Sequence, residues 1–372
     1  MSIIEKIDEH TIYENPLPQL RSRHAMFPGL VQLPSGELIA LFVLGEAFES
    51  VDSRTVISRS RDLGKSWQFE GELYDMARLN LDHPVSECLK PTLLKDGSLI
   101  AIGYRCHRQD PDLPIGNPQT RGILPGDDMV SFSKNDGSTW SIPRIIEHGY
   151  PELLEASAPC IELSSGDILE TSAPFKAWDG SNPTGQIGIL LRSTNKGKTW
   201  DASGRFLTAT DKPITPWESR ICEMQPGRLV VIFWAFDMAA NKHLPNQVVV
   251  SHDDGHTWSK PIDTGHMGQA SNLMWLGDEQ LLTIHAHRAG KVGLYVRLID
   301  FKNDKWKVAE ETVIWGKAPA QDTSKSIIEQ FAGLKFGQPS LLRLNNGQIL
   351  ATHWCVENCL GKIKTHRLKL NL

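Results

Sequence analysis

Ser60–Trp67 reads SRDLGKSW, and three later stretches repeat it: SKNDGSTW at Ser133–Trp140, STNKGKTW at Ser193–Trp200 and SHDDGHTW at Ser251–Trp258. Each has a serine, an Asp or Asn two residues on, a glycine, a Ser or Thr and a closing tryptophan. A string this long recurring four times marks a structural repeat. The Asp or Asn side chain can accept the turn's backbone N–H groups. The glycine supplies a positive φ, and the tryptophan offers a large apolar body to pack between units. An apolar strand precedes each copy: TVISRS, MVSFSK, GILLRS and VVVSH. The copies therefore read as the turn between the third and fourth strands of a four-stranded unit, on the face away from any site. LYVRLIDFKNDKWKV (Leu294–Val308) reads as a degenerate fifth copy.

A second repeat interleaves with the first. LPSGELIALF surrounds Gly36, LKDGSLIAIGY Gly97, LSSGDILETSA Gly166, MQPGRLVVIFW Gly227, WLGDEQLLTIH Gly277 and LNNGQILATHW Gly347. Each is a strand end, a glycine turn and an alternating apolar strand, which is the pattern of a β-hairpin. The glycines are 50 to 70 residues apart, which leaves room for two more strands in each unit. Four-stranded units repeated radially make a propeller, so the sequence predicts an all-β, six-bladed β-propeller as one domain over residues 1–372. Either the closing GKIKTHRLKLNL or the opening IIEKIDEHTIYE completes the last blade; the sequence leaves both open.

The 372 residues are 40% hydrophobic and 22% charged, with 39 basic against 44 acidic side chains and a net charge of −5. That balance argues against a nucleic-acid or membrane-surface protein. The opening segment is acidic and lacks the apolar core of a signal peptide, which predicts a cytoplasmic protein. Six cysteines lie mostly inside apolar runs and read as buried free thiols. Cys355 and Cys359 have no second pair at metal-ligand spacing, and the sequence points to no metal and no cofactor. Oligomeric state is not readable.

The SxDxGxTW string is the Asp-box, and a six-bladed propeller carrying it resembles the sialidase (neuraminidase, BNR-repeat) superfamily over nearly the whole chain. The resemblance implies a glycosidase-like site at the channel mouth, built by residues at strand starts and ends. The family's first-blade Arg-Ile-Pro motif matches AMFPG, which puts Met26 where the arginine would be, with Arg23 three residues away. Its acid/base loop matches GEAFESVDS, which offers Glu49 and Asp52. Its catalytic glutamate matches Glu218 in WESRICEM. Its second arginine falls near Trp234, and its third matches Arg288 in HRAGKVGLY. Gln338, in KFGQPSLL, stands where the family has its nucleophilic tyrosine. The missing tyrosine and arginines imply a sugar other than ordinary sialosides.

What remains suits a pair of carboxylates. Glu155 and Glu218 start inner strands of neighbouring blades, an arrangement similar to that of exo-arabinanases of the same superfamily, where one glutamate is the acid and the other the nucleophile or base. Glu49 or Asp52 opposite Glu218 is the rival pair. Arg23, Glu87, Lys90, Arg105, His107, Arg220, His287, Arg288 and Gln338 are candidates to hold substrate, and Trp178, Trp217, Trp234 and Trp354 to stack on sugar faces. The expectation is an exo-acting glycosidase with a carbohydrate substrate. Three alternatives stand: a glycan-binding propeller without catalysis, a polysaccharide lyase using His107, His285 or Tyr104 as base, and a true exo-sialidase with an atypical site.

Overall fold

The computed structural model describes residues 2–208 and 214–372. Six antiparallel sheets follow one another along the chain and make six blades. Blade 1 runs from its inner to its outer strand as His24–Gln32, Leu38–Gly45, Arg54–Ser60 and Gln68–Glu72. Blades 2, 3, 4 and 5 begin with inner strands Val85–Leu93, Ile161–Glu162, Ile214–Gln225 and Ser271–Gly277. Blade 6 begins with Phe336–Arg343.

The second strand of each blade has sheet neighbours on both sides and packed blades on both faces. It therefore reads as an apolar run rather than an alternation. Leu38–Val43 and Leu229–Phe236 are buried throughout. Outer strands face water, and Gln68–Glu72 is mostly exposed.

The four SxDxGxTW strings do sit between third and fourth strands. In each, the serine hydroxyl accepts the glycine N–H, as at Ser60–Gly64 (2.8 Å) and Ser251–Gly255 (2.9 Å). The tryptophan Nε1–H donates back to the glycine carbonyl in three of them, at 3.1 to 3.2 Å. The glycines explain how blades join. A Cβ on Gly137 would meet Ile39 of blade 1 at 2.5 Å, and one on Gly197 would meet Ile100 of blade 2 at 2.6 Å. An arginine of the preceding blade caps the carbonyl just before the glycine: Arg59 at Asp136 (3.0 Å) and Arg367 at Leu63 (2.6 Å). The degenerate fifth copy occupies the same place in blade 5, where Arg228 of blade 4 bridges to Asp304 at 2.8 Å.

Both terminal segments complete the last blade. Leu360–Leu370 is its third strand, and Ile4–Glu14 pairs with it as the fourth, from Ile4 opposite Leu370 to Glu14 opposite Lys362. Of the six free cysteines, four are buried and Cys222 is half-buried; Cys359 is exposed, because it sits in the tight turn at Asn358–Cys359 with φ of +64°. No helix among the described residues is long and apolar enough to cross a membrane.

Candidate active site

Three inner strands are interrupted at the channel mouth by a β-bulge. The register breaks between Met26 and Gly29 in blade 1, between Trp217 and Arg220 in blade 4, and between Gly337 and Ser340 in blade 6. Each bulge puts one bulky residue at positive φ: Phe27 (+54°), Glu218 (+46°) and Gln338 (+38°). Such backbone is unfavourable for a residue with a Cβ and gathers at functional sites, where it re-aims a side chain. All three side chains line the same cavity, which is partly open to solvent. Met26 is fully buried in the core, so the bulge presents Phe27 to the mouth in its place.

Glu155 precedes the inner strand of blade 3 and meets Glu218 on the cavity floor. The Glu218 backbone N–H donates to Glu155 Oε2 at 2.8 Å. Burial, and then the negative charge of Glu218, push the Glu155 carboxyl up to about 7. Glu218 Oε2 is buried and has no hydrogen-bond partner among the described residues, and neither has Gln338 Oε1. Arg288 is fixed by donation to the Phe336 carbonyl (2.9 Å) and to Gln269 Oε1 (2.9 Å). Glu49 also reaches the cavity; its Oε2 accepts the Ile115 N–H at 3.0 Å, and burial raises its carboxyl. Trp217 and Trp234 form one wall, their rings 5.1 Å apart.

The other predicted residues lie elsewhere. Asp52 accepts the Glu46 N–H and faces Arg23 loosely at 3.9 Å; both are partly exposed and outside the cavity lining. Glu87 and Arg105 alternate away from the channel into the space between blades. There Glu87 accepts from Tyr74 and Thr55, and Arg105 bridges to Asp127 at 2.6 Å. His107 binds the same Asp127 at 3.2 Å. Lys90 is buried below the mouth, where its ammonium holds the Phe27 carbonyl of the blade 1 bulge. Burial lowers it to about 8. Arg220 is buried beside it, donating to the Ser219 carbonyl at 2.8 Å. His287 stacks on Tyr295 at 4.2 Å and lines a neighbouring recess. His285 is fully buried against Asn246 and Thr283. Trp354 has no exposed surface and packs behind Phe27 and Phe48 rather than at the mouth, and Trp178 packs with a separate cluster around Cys106.

Two irregular segments roof the cavity, and the repeats gave no sign of what they do. Residues 108–125 leave blade 2 and residues 316–335 join blades 5 and 6; they meet where Gly116 lies against Ile328. The second segment carries the helix Ile327–Ala332, which turns Ile327, Ile328 and Phe331 into the cavity. It is pinned to the wall by a run of hydrogen bonds. Arg288 donates to Gln269, whose amide donates to Gln321 Oε1 (2.7 Å). Gln321 donates to the Gln330 carbonyl (3.0 Å), and Gln330 Oε1 lies 2.9 Å from His243 Nε2. His243 Nδ1 accepts the Trp234 indole N–H at 3.2 Å. One signal was available: the two longest glycine intervals, from Gly97 to Gly166 and from Gly277 to Gly347, contain these two segments.

Neither a protein-family model nor a curated protein sequence matches the chain. Solved structures do match in fold. A protein of unknown function from Dyadobacter fermentans superposes with a TM-score of 0.76 over all of both chains, at 19% identity. A Hadza microbial sialidase gives 0.66 over 93% of this chain and 66% of its own, at 17% identity. The α-L-arabinanase of Penicillium chrysogenum, complexed with arabinobiose, gives 0.65 over 98% of both, at 14% identity. The chain therefore shares its propeller fold with a sialidase and an arabinanase, and at these identities the likeness is one of fold.

Proposed function

We propose that the protein is a glycoside hydrolase that removes a terminal sugar through Glu155 and Glu218. The observation that carries this reading is the contact between them: the Glu218 backbone N–H binds the Glu155 carboxyl on the floor of a roofed, largely apolar pocket, and burial raises that carboxyl to about 7. A carboxyl poised near 7 suits a general acid, which protonates the departing glycosidic oxygen. Glu218, whose buried oxygen lacks a protein partner, is the group left to attack the anomeric carbon or to activate water. The indoles of Trp217 and Trp234 offer an apolar face to a sugar ring. The roof limits the pocket to a chain end, which fits an exo-acting enzyme. Of the bases a lyase reading would use, His107 and His285 lie outside the pocket, while Tyr104 lines it with its hydroxyl raised by burial.

The test is a panel of aryl glycosides, neutral, uronic and sialic, assayed with the unaltered protein, Glu155→Gln and Glu218→Gln. Hydrolysis abolished in Glu218→Gln supports the pair. Loss in Glu155→Gln that is worst for poor leaving groups assigns it as the acid. Proton NMR of the first-formed product separates nucleophile from base for Glu218. Turnover equal in all three proteins would remove the pair from the mechanism. Preferential turnover of the sialoside would overturn the reading that ordinary sialosides are not the substrate.

A further inference from the structure

Two cations from touching backbone segments line this pocket. Arg121 belongs to the blade 2 segment and Lys176 to the segment that follows the second strand of blade 3, and both line the cavity. The backbone forces them together. Gly122 lies so close to the second segment that a Cβ there would meet the Ala177 carbonyl oxygen at 1.8 Å. The Ile123 N–H donates to the Lys176 carbonyl (2.9 Å). Asn117 Nδ2 and the Thr120 hydroxyl both donate to the Trp178 carbonyl, at 3.0 and 2.7 Å. Arg121 itself sits at φ of +61°, a conformation costly for a side chain of its size.

This arrangement brings like charges together without neutralising them. Arg121 donates once, to the Met238 carbonyl at 3.0 Å, which leaves most of its guanidinium N–H groups available. Lys176 makes no ion pair among the described residues. Burial, and then the charge of Arg121, lower its ammonium from the usual lysine range. Like charges in a partly desolvated site repel, and an anion between them removes the cost. Glu155 and Glu218 lie on the cavity floor, whereas Arg121 belongs to the roof segment and Lys176 to the segment joined to it.

We propose that Arg121 and Lys176 form an anion subsite that takes the carboxylate or sulfate ester of an acidic sugar. This rests on the reading that the pocket binds a sugar, but not on hydrolysis. The measurement is calorimetric titration of the whole protein with galacturonate, glucuronate and galactose 6-sulfate, each against galactose or glucose. The acidic sugars are expected to bind about tenfold more tightly than the neutral ones, with an advantage that shrinks as salt rises. Arg121→Met with Lys176→Met is expected to erase that advantage, and Arg121→Lys with Lys176→Arg to keep part of it. Binding of uronates alone assigns a carboxylate, and binding of the sulfate alone a sulfate ester. Equal affinity for acidic and neutral sugars, no binding of either, or an advantage that survives in a natively folded double Met variant would each overturn the proposal. Hydrolysis does not enter the measurement, so an inactive protein that still prefers acidic sugars refutes the hydrolase reading and leaves the subsite standing.

Discussion

At Asp253, in the fourth SxDxGxTW turn, both carboxylate oxygens are occupied. Oδ1 takes the Ser251 hydroxyl (2.7 Å) and the Thr257 N–H (2.8 Å), and Oδ2 takes the Thr257 hydroxyl (2.6 Å). Burial pushes this carboxyl up, but those hydrogen bonds outweigh it and hold the group at about 2. At the mouth the opposite holds. Glu155 is pushed up to about 7, and Glu218 Oε2 and Gln338 Oε1 lack partners among the described residues. In the turns the positive-φ glycine sits beside the neighbouring blade and follows a second positive-φ residue (Leu63, Asp136, Lys196 or Asp254), whereas at the mouth positive φ falls on Phe27, Glu218 and Gln338, whose side chains line the cavity. The turns repeat four times and satisfy nearly all their polar groups, Trp200 Nε1 excepted, whereas the mouth is built from the bulged inner strands of only three blades and leaves polar groups open. Repetition here marks what holds the propeller together. Departure from the repeat marks where a ligand can supply the missing partner.

The sharpest way to break this contrast is at the carboxyl pair. Glu155→Gln should lower turnover by about 10²–10⁴-fold on substrates with poor leaving groups, with the melting temperature unchanged or raised, because a costly buried acid is removed. If the proposed hydrolysis holds, kcat/KM of the unaltered protein should fall as pH rises through about 7, where Glu155 loses its proton, and this limb should vanish in the variant. An alkaline limb that persists in Glu155→Gln would assign the titration to another group.

Changes in the turns should do the reverse. Asp253→Ala removes three hydrogen bonds from one turn and should cost about 1–2 kcal/mol in chemical denaturation, with kcat per folded molecule unchanged. A fall in kcat without loss of stability would show that the turns reach the site, and the contrast would fail.

The closing blade offers a pH test of stability. His353 and His366 stack there with their Nε2 atoms 3.0 Å apart, and neither ring is exposed. Burial lowers His353 to about 3 and lowers His366 as well. The folded state therefore stays unprotonated at these rings, while an unfolded histidine takes up a proton below about 6.5. Stability from this pair is complete above that pH and is lost as pH falls from about 6.5 toward 3. His366→Gln should flatten the melting temperature between pH 7 and 5, and an unchanged slope would place the sensitivity elsewhere.

The fold was legible because its determinants are local. Ser60–Trp67 and the Gly36 hairpin each carry a complete turn within about ten residues, and the count of hairpins is the count of blades. Glu155, Glu218, Arg288 and Gln338 were also within reach, because they flank those hairpins at the channel end. Glu87, Arg105 and Lys90 flank them too, yet side chains on a strand alternate, and theirs turn between blades or below the mouth. Phe27 was hidden by the bulge, which shifts the presented residue by one from Met26. Arg121, Lys176 and the helix Ile327–Ala332 lie in segments with no period. Their placement comes from long-range contacts such as Gly122 against Ala177 and Gly116 against Ile328.

The roof helix should show the smallest effect and the most local one. Six residues are too few to hold a helix without tertiary contacts. Ser326 and Glu329 cap it reciprocally, and Ile327 is buried, but its polar link to the wall runs through Gln330, which binds His243. Gln330→Leu keeps the volume and removes that link. Losing the side chain's hydrogen bonds to His243 and to the Lys325 carbonyl, each worth about 1 kcal/mol, should speed amide exchange several-fold at Gln330, Gly333 and Leu334, with no change in the exchange of the blade cores. If those three amides and the core instead exchange together, the segment opens only with the whole propeller. The roof would then be as fixed as the turns, and substrate would have to enter through a permanent gap rather than past a segment that moves.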